Sequence, residues 1–211
     1  MITQVYILSN HSNIGEQMPR RPNYDRDDLI NRARDLFWRS GWAGTSLKDL
    51  EATLKMKPGS FYAAFGSKEA LYELALEKYS EGSKATVQEL VDQFGAFGAL
   101  THLPAVVVEA EGAPAKACMV SKTLLELHAQ NHPLAAKAED LLNMMEEQFT
   151  GLFRQAQADG DIDPDLDPAV LARRYQSDLL GLRLSAERSS LDASAIAAEF
   201  ADSLGRLRPA N

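Results

Sequence analysis

Thr45–Leu71, TSLKDLEATLKMKPGSFYAAFGSKEAL, constrains this chain more than any other stretch. Ser46 followed three residues later by Asp49 is a capping-box variant and starts a helix. Leu47, Leu50 and Leu54 fall on one face of it. Lys55-Met56-Lys57 makes a turn. Pro58 then opens a second short helix at the position where a missing N–H costs nothing, and Phe61 and Phe65, four apart, face inward. Ser67 caps a longer helix that begins at Lys68. Two short helices and a tight turn feeding a third helix form a helix-turn-helix.

The rest of the chain is patterned for helices. Leu29, Ile30, Ala33, Leu36 and Phe37 recur at helical spacing over Asp25–Ser40, with Asp25 as N-cap and Gly41 as the stop. Trp38 and Trp42 are expected to pack the small N-terminal unit. Downstream, the pattern predicts helices over Lys68–Phe94, Phe97–Ala110 (with a kink at Pro104), Lys116–Asn131, Leu134–Ala158, Pro168–Arg188 and Asp192–Leu207. The expected architecture is all-α with about nine helices. It divides into a leader with a basic arm (1–22), a helix-turn-helix unit (23–80) and a helical body (81–211). Met18 makes a natural start, so residues 1–17 are expected to be disordered or untranslated. Arg20 and Arg21 form a short basic arm suited to a minor-groove or phosphate contact.

With 45% apolar residues the chain can build a true core. No uninterrupted apolar run approaches the roughly 18–20 residues of a membrane helix, and a single cysteine cannot form an intrachain disulfide, which fits a cytoplasmic location. The net charge of −8 is unevenly spread. Residues 18–80 hold 11 Lys and Arg against 9 Asp and Glu, whereas residues 81–211 hold 11 against 20. Only the N-terminal end is suited to approach phosphate.

Within that end the residue types suggest a division of labour. Gly59 lets the backbone come close to another surface. Ser60 and Tyr62 offer hydroxyls to phosphate oxygens. Lys68, at a helix start with exposed amides, suits a phosphate clamp. Lys57, Ser60 and Lys48 are the candidate base readers, and Thr45, Ser46 and Pro58 complete the candidate DNA-contacting set.

Residues 25–79 resemble the DNA-binding domain of the TetR/AcrR family of transcriptional regulators. Phe37, Gly41, Thr45, Ser46, Leu50, Gly59, Ser60, Phe61, Tyr62, Phe65, Ser67, Lys68, Glu69 and Leu71 carry the resemblance, and SFYAAFGSKEAL reproduces the family's order and spacing. Lys55 stands where the family has glycine, and Ala63 and Ala64 stand where many relatives carry a larger polar residue. The resemblance implies a homodimeric regulator of double-stranded operator DNA, a repressor relieved by a small-molecule effector. It also implies a four-helix interface built from the last two helices, for which Leu180, Leu184, Phe200 and Leu204 are the candidates.

In the body, Tyr79, Val107, Met119, Leu124, His128, Met145, Phe149 and Tyr175 are the candidate effector-pocket residues, and the same spacing suits plain core. Cys118, near a helix start and beside Lys116, has the setting of a reactive thiol, which gives the alternative of a redox or electrophile sensor. His128 and His132 share the H-x-x-x-H spacing of zinc ligands, yet no third ligand stands at a motif offset. The aspartates of DGDIDPDLDP lack the glycine and terminal glutamate of a calcium loop. Neither metal nor cofactor is expected. Cys118 and His128 lie about 15 Å apart along one helix and form no catalytic dyad, so an enzyme or adaptor with a vestigial head is the weaker alternative.

Overall fold

The computed structural model describes residues 25–209; residues 1–17, the start at Met18 and the arm of Arg20 and Arg21 lie outside the described residues. Every described element is helical. The chain runs α1 (Arg26–Ser40), α2 (Leu47–Leu54), α3 (Pro58–Phe65), α4 (Lys68–Glu109), α5 (Met119–Leu127), α6 (Pro133–Ala158), α7 (Pro168–Ser185) and α8 (Ala193–Leu204), with single 3-10 turns after α5 and α8.

The caps follow from the side chains. Asp25 accepts from the Asp27 amide at 2.9 Å, and Gly41 ends α1 at φ 74°. Ser46 and Asp49 close a full capping box on α2. The Ser46 hydroxyl and amide hold the Asp49 carboxyl below its ordinary pKa. Lys55 ends α2 in the left-handed region at φ 55°, ψ 41°. The Met56 amide reaches back to Glu51 and the Lys55 amide to Ala52, which is a Schellman cap closed by a lysine in place of glycine.

Eight helices replace the nine expected because α4 runs through two of them. Its one non-helical residue is Gly95, at φ 74° and ψ 178°, so the break lies at a glycine. Pro104 sits inside the second segment without breaking it. Proline has no N–H to give the Leu100 carbonyl, and the buried Tyr175 hydroxyl donates to that carbonyl at 2.8 Å instead. By length and composition α4 is also apolar enough to cross a membrane, which differs from the expectation drawn from uninterrupted runs. Leu100, Leu103 and Val108 bury part of that apolar surface inside the body.

Two apolar cores result. One joins α1, α2, α3 and the start of α4 to Met119, Val120 and Leu127 of α5 and Leu134, Ala138 and Leu141 of α6. The other joins the rest of α4 to the far half of α6, α7 and α8. The helix-turn-helix therefore shares its core with the body. Tyr72 of α4 and Thr123 of α5 meet in this shared core, hydroxyl to hydroxyl at 2.8 Å, and burial pushes the Tyr72 hydroxyl up to about 12.

The α5–α6 junction also departs from expectation. Helix α5 ends at Leu127, and Asn131 adopts φ 50° after a 3-10 turn. His128 lies in that turn, whereas His132 caps α6 by accepting from the Leu134 amide at 3.2 Å. The two imidazoles sit on different elements and share no helical face.

Candidate functional site

Helix α3 presents an outward face with little competing for its groups. Phe61 and Phe65 are buried against the shared core, while Lys57, Pro58, Gly59, Ser60 and Ala63 are exposed. Tyr62 is 48% exposed despite its size. A Cβ at Gly59 would meet nothing within 4 Å, so a flat surface can approach the backbone there. Lys48 on α2 is exposed as well.

Other candidates for DNA contact are placed differently. Thr45 is 1% exposed, and its hydroxyl donates to the Gly41 carbonyl at 2.8 Å; it shapes the α1–α2 loop and has no free group at the surface. Ser46 is exposed, but its hydroxyl is engaged with Asp49 at 2.6 Å. Lys68 folds inward. Its ammonium donates to the Trp42 carbonyl at 2.6 Å and lies 4.0 Å from the Trp42 ring centroid. Burial lowers its pKa, and nearby Glu126 opposes that shift. A lysine held this way braces the α1–α2 loop, with its ammonium turned toward Trp42 and away from the outward face of α3.

The loop it braces is also held by α5. The Glu126 carboxylate accepts from the Trp42 amide at 3.0 Å and the Ala43 amide at 2.7 Å. Lys122 donates to the Trp38 carbonyl at 2.7 Å, at the negative end of α1. The Trp38 indole N–H donates to the Ala117 carbonyl at 2.7 Å, and the Ala117 and Lys116 amides both donate to Glu187, just past α7. An unbroken series of short polar contacts thus runs from the end of α7 through the Ala117 peptide to α1.

Beside this series lies a cavity of about 290 Å³, close to the lower bound for small-molecule sites. Arg34 and Trp38 of α1 form one wall. Tyr79, Val87, Leu103 and Val107 of α4, Met145, Gln148 and Phe149 of α6, Gln176, Leu179, Leu180 and Arg183 of α7, and Cys118 just ahead of α5 form much of the rest. Four of the eight pocket candidates, Tyr79, Val107, Met145 and Phe149, line it together. The other four do not. Met119 is buried in the shared core and Tyr175 in the second core. Leu124 and His128 border a separate hollow between α5 and α6. Burial also pushes the Tyr79 hydroxyl far above its ordinary pKa, keeping it a neutral phenol.

Most of the wall lies outside the set expected from the sequence, including Trp38, Arg34 and Arg183. Trp38 packs as expected, edge-on against Tyr79, and is part of the cavity wall as well. For Arg183 the available signal is its place beside the buried Leu182 on an apolar helix. Cys118 is 2% exposed and precedes α5, while Lys116 donates to the Val108 and Ala110 carbonyls at the end of α4. That ammonium therefore caps α4 and does not serve the thiol as expected. Among the interface candidates, Leu184 is 63% exposed and Leu204 is buried. Phe200 leans on Tyr175 at 5.1 Å and Leu180 faces the cavity.

Residues 29–75 match the family model "Bacterial regulatory proteins, tetR family", and residues 103–194 match "Tetracyclin repressor-like, C-terminal domain". The HTH-type transcriptional repressor ComR of Escherichia coli (strain K12) is 28% identical over 175 residues, covering 80% of this chain and 83% of that protein. A TetR family regulator from Cytophaga hutchinsonii superposes with a TM-score of 0.76 at 22% identity, covering 86% of this chain and 92% of the other, a likeness of fold. The TetR family transcriptional regulator CifR, as a cysteine mutant complexed with 26 bp double-strand operator DNA, superposes with a TM-score of 0.74. It is 29% identical, and the match covers 90% of this chain and 100% of the other.

Proposed function

The chain belongs to the TetR family and is a DNA-binding transcriptional regulator, and we propose that it is a homodimeric repressor released from its operator by a small molecule bound between α1 and the body. The observation that carries this is the double membership of Trp38. Its ring lines the cavity, and its backbone belongs to the helix that, with α2, supports α3. A ligand that prefers one position of Trp38 necessarily biases the head and weakens or strengthens DNA binding by its differential affinity.

In this account α3 enters the major groove. Lys57, Ser60 and Lys48 read bases, Ala63 meets thymine methyls, and Tyr62 contacts the backbone. Two copies pair through the outward stripe of α7, Val170, Ser177, Gly181 and Leu184, all exposed, together with the small-residue face of α8 at Ala195 and Ala198. Pairing places two α3 helices for half-sites about one DNA turn, roughly 34 Å, apart. A thiol-sensing alternative rests on Cys118 lining the same cavity, so an electrophile would reach the thiol only as a cavity ligand.

Operator binding titrated against salt tests the division of labour. Lys57→Ala should weaken binding, reduce the salt slope by about one and change the order of preference among operator variants. Lys68→Ala should leave the slope unchanged, because its ammonium is engaged with Trp42. A slope reduced by Lys68→Ala and untouched by Lys57→Ala would contradict the assignment.

A further inference from the structure

The cavity contains one charged group that the protein leaves unanswered. Arg183 Nε is out of contact with solvent and has no hydrogen-bond partner. Among the described residues the guanidinium makes neither a hydrogen bond nor an ion pair; it lies over the Trp38 ring, 5.8 Å from Cζ to the centroid, and close enough to Tyr79 to act on its hydroxyl. Arg34, the other cation on the wall, is already neutralised, with Nε and Nη2 on Asp35 and Nη1 on Asn31. Glu187, one turn beyond Arg183, accepts the Lys116 and Ala117 amides. Tyr79 is a neutral phenol. Among the described residues no Asp or Glu lines the cavity.

Arg183 lines the cavity, so a ligand acceptor placed on its guanidinium would make a hydrogen bond that the protein itself does not supply. A planar carboxylate matches the guanidinium fork, and the hydrogen bonds are charge-assisted. Val87, Leu103, Val107 and Phe149, beside the neutral polar Ser83, Thr86, Gln148 and Gln176, ask for a largely apolar body. One unanswered cation against an apolar lining suits a monoanion rather than a phosphate. Resting on the effector role of this cavity, we infer that its ligand is an apolar carboxylic acid whose carboxylate sits on Arg183 and whose body lies along α4 and α6. The same contact places the ligand against Trp38, so recognition of the acid and displacement of α1 coincide.

Calorimetric titration of the full chain with octanoate and 3-phenylpropanoate, each against its carboxamide, tests this. The acids should bind on the order of tenfold more tightly than the amides. Arg183→Gln should bring acid and amide to within about twofold, Arg183→Lys should keep part of the preference, and Arg34→Gln should keep most of it. Equal affinity of acid and amide for the wild type overturns the carboxylate assignment while leaving the cavity as the effector site. An acid that binds the wild type and the cavity-filling Val107→Trp equally well overturns both. Binding of none of the four probes also counts against the carboxylate.

Discussion

Lys55 carries a conformational cost that the rest of the turn has to offset. Its φ of 55° puts a Cβ where a glycine would have none, and the cap hydrogen bonds to Ala52 and Glu51 hold it there. Lys55→Gly should raise stability in urea denaturation by about 0.5–1 kcal/mol; a lower midpoint would mean that the lysine itself is favoured. This residue is legible in the sequence because the turn is local, and its backbone is set by neighbours two to four positions away. Lys68 and Trp38 are not. Their partners, Trp42 and Ala117, lie 26 and 79 residues away, and periodicity cannot tell which of several polar groups a long side chain will meet in space. The same limit separates Tyr79 and Phe149, which line the cavity, from Met119 and Tyr175, which have the same helical spacing and sit in packed core.

At the scale of elements, caps and periodicity carry most of the information. Asp25, Ser46, Pro58 and Ser67 mark helix starts in the sequence and cap or open them in the fold. Pro104 lies inside α4, and the sequence does not reveal what replaces the backbone hydrogen bond it removes. Tyr175 does so across 75 residues. Tyr175→Phe should therefore cost about 1–3 kcal/mol, the penalty of stranding the buried Leu100 carbonyl. A loss below about 0.3 kcal/mol in thermal or urea unfolding would show that α4 tolerates the proline by itself. One element serves both cores along its length: Leu71, Tyr72, Ala75, Leu76 and Tyr79 of α4 pack under α1, whereas Val87 and Leu90, still ahead of Gly95, already join the second segment in the core of α6, α7 and α8.

Across the whole molecule, head and body are one packed object joined at α1, α5 and the cavity wall. Glu126 and Lys122 fix both sides of the α1 terminus, and Trp38 reaches from that terminus into the cavity. Such an arrangement transmits a change in the cavity to α3 without requiring a flexible linker, because packed helices shift as units. The central claim is that this transmission runs through Trp38. The most direct measurement is fluorescence anisotropy of an operator duplex, selected in vitro from random sequence, titrated with wild type and Trp38→Phe at zero and saturating 3-phenylpropanoate. Trp38→Phe keeps an aromatic ring beside Tyr79 and under Arg183, loses the indole hydrogen bond to Ala117 and trims the cavity wall. Wild-type affinity should fall on the order of tenfold with ligand, within the usual range of coupling free energies. The variant should bind DNA within about threefold of wild type without ligand and lose most of the ligand-induced fall. A variant that responds to the ligand as fully as the wild type would contradict the account.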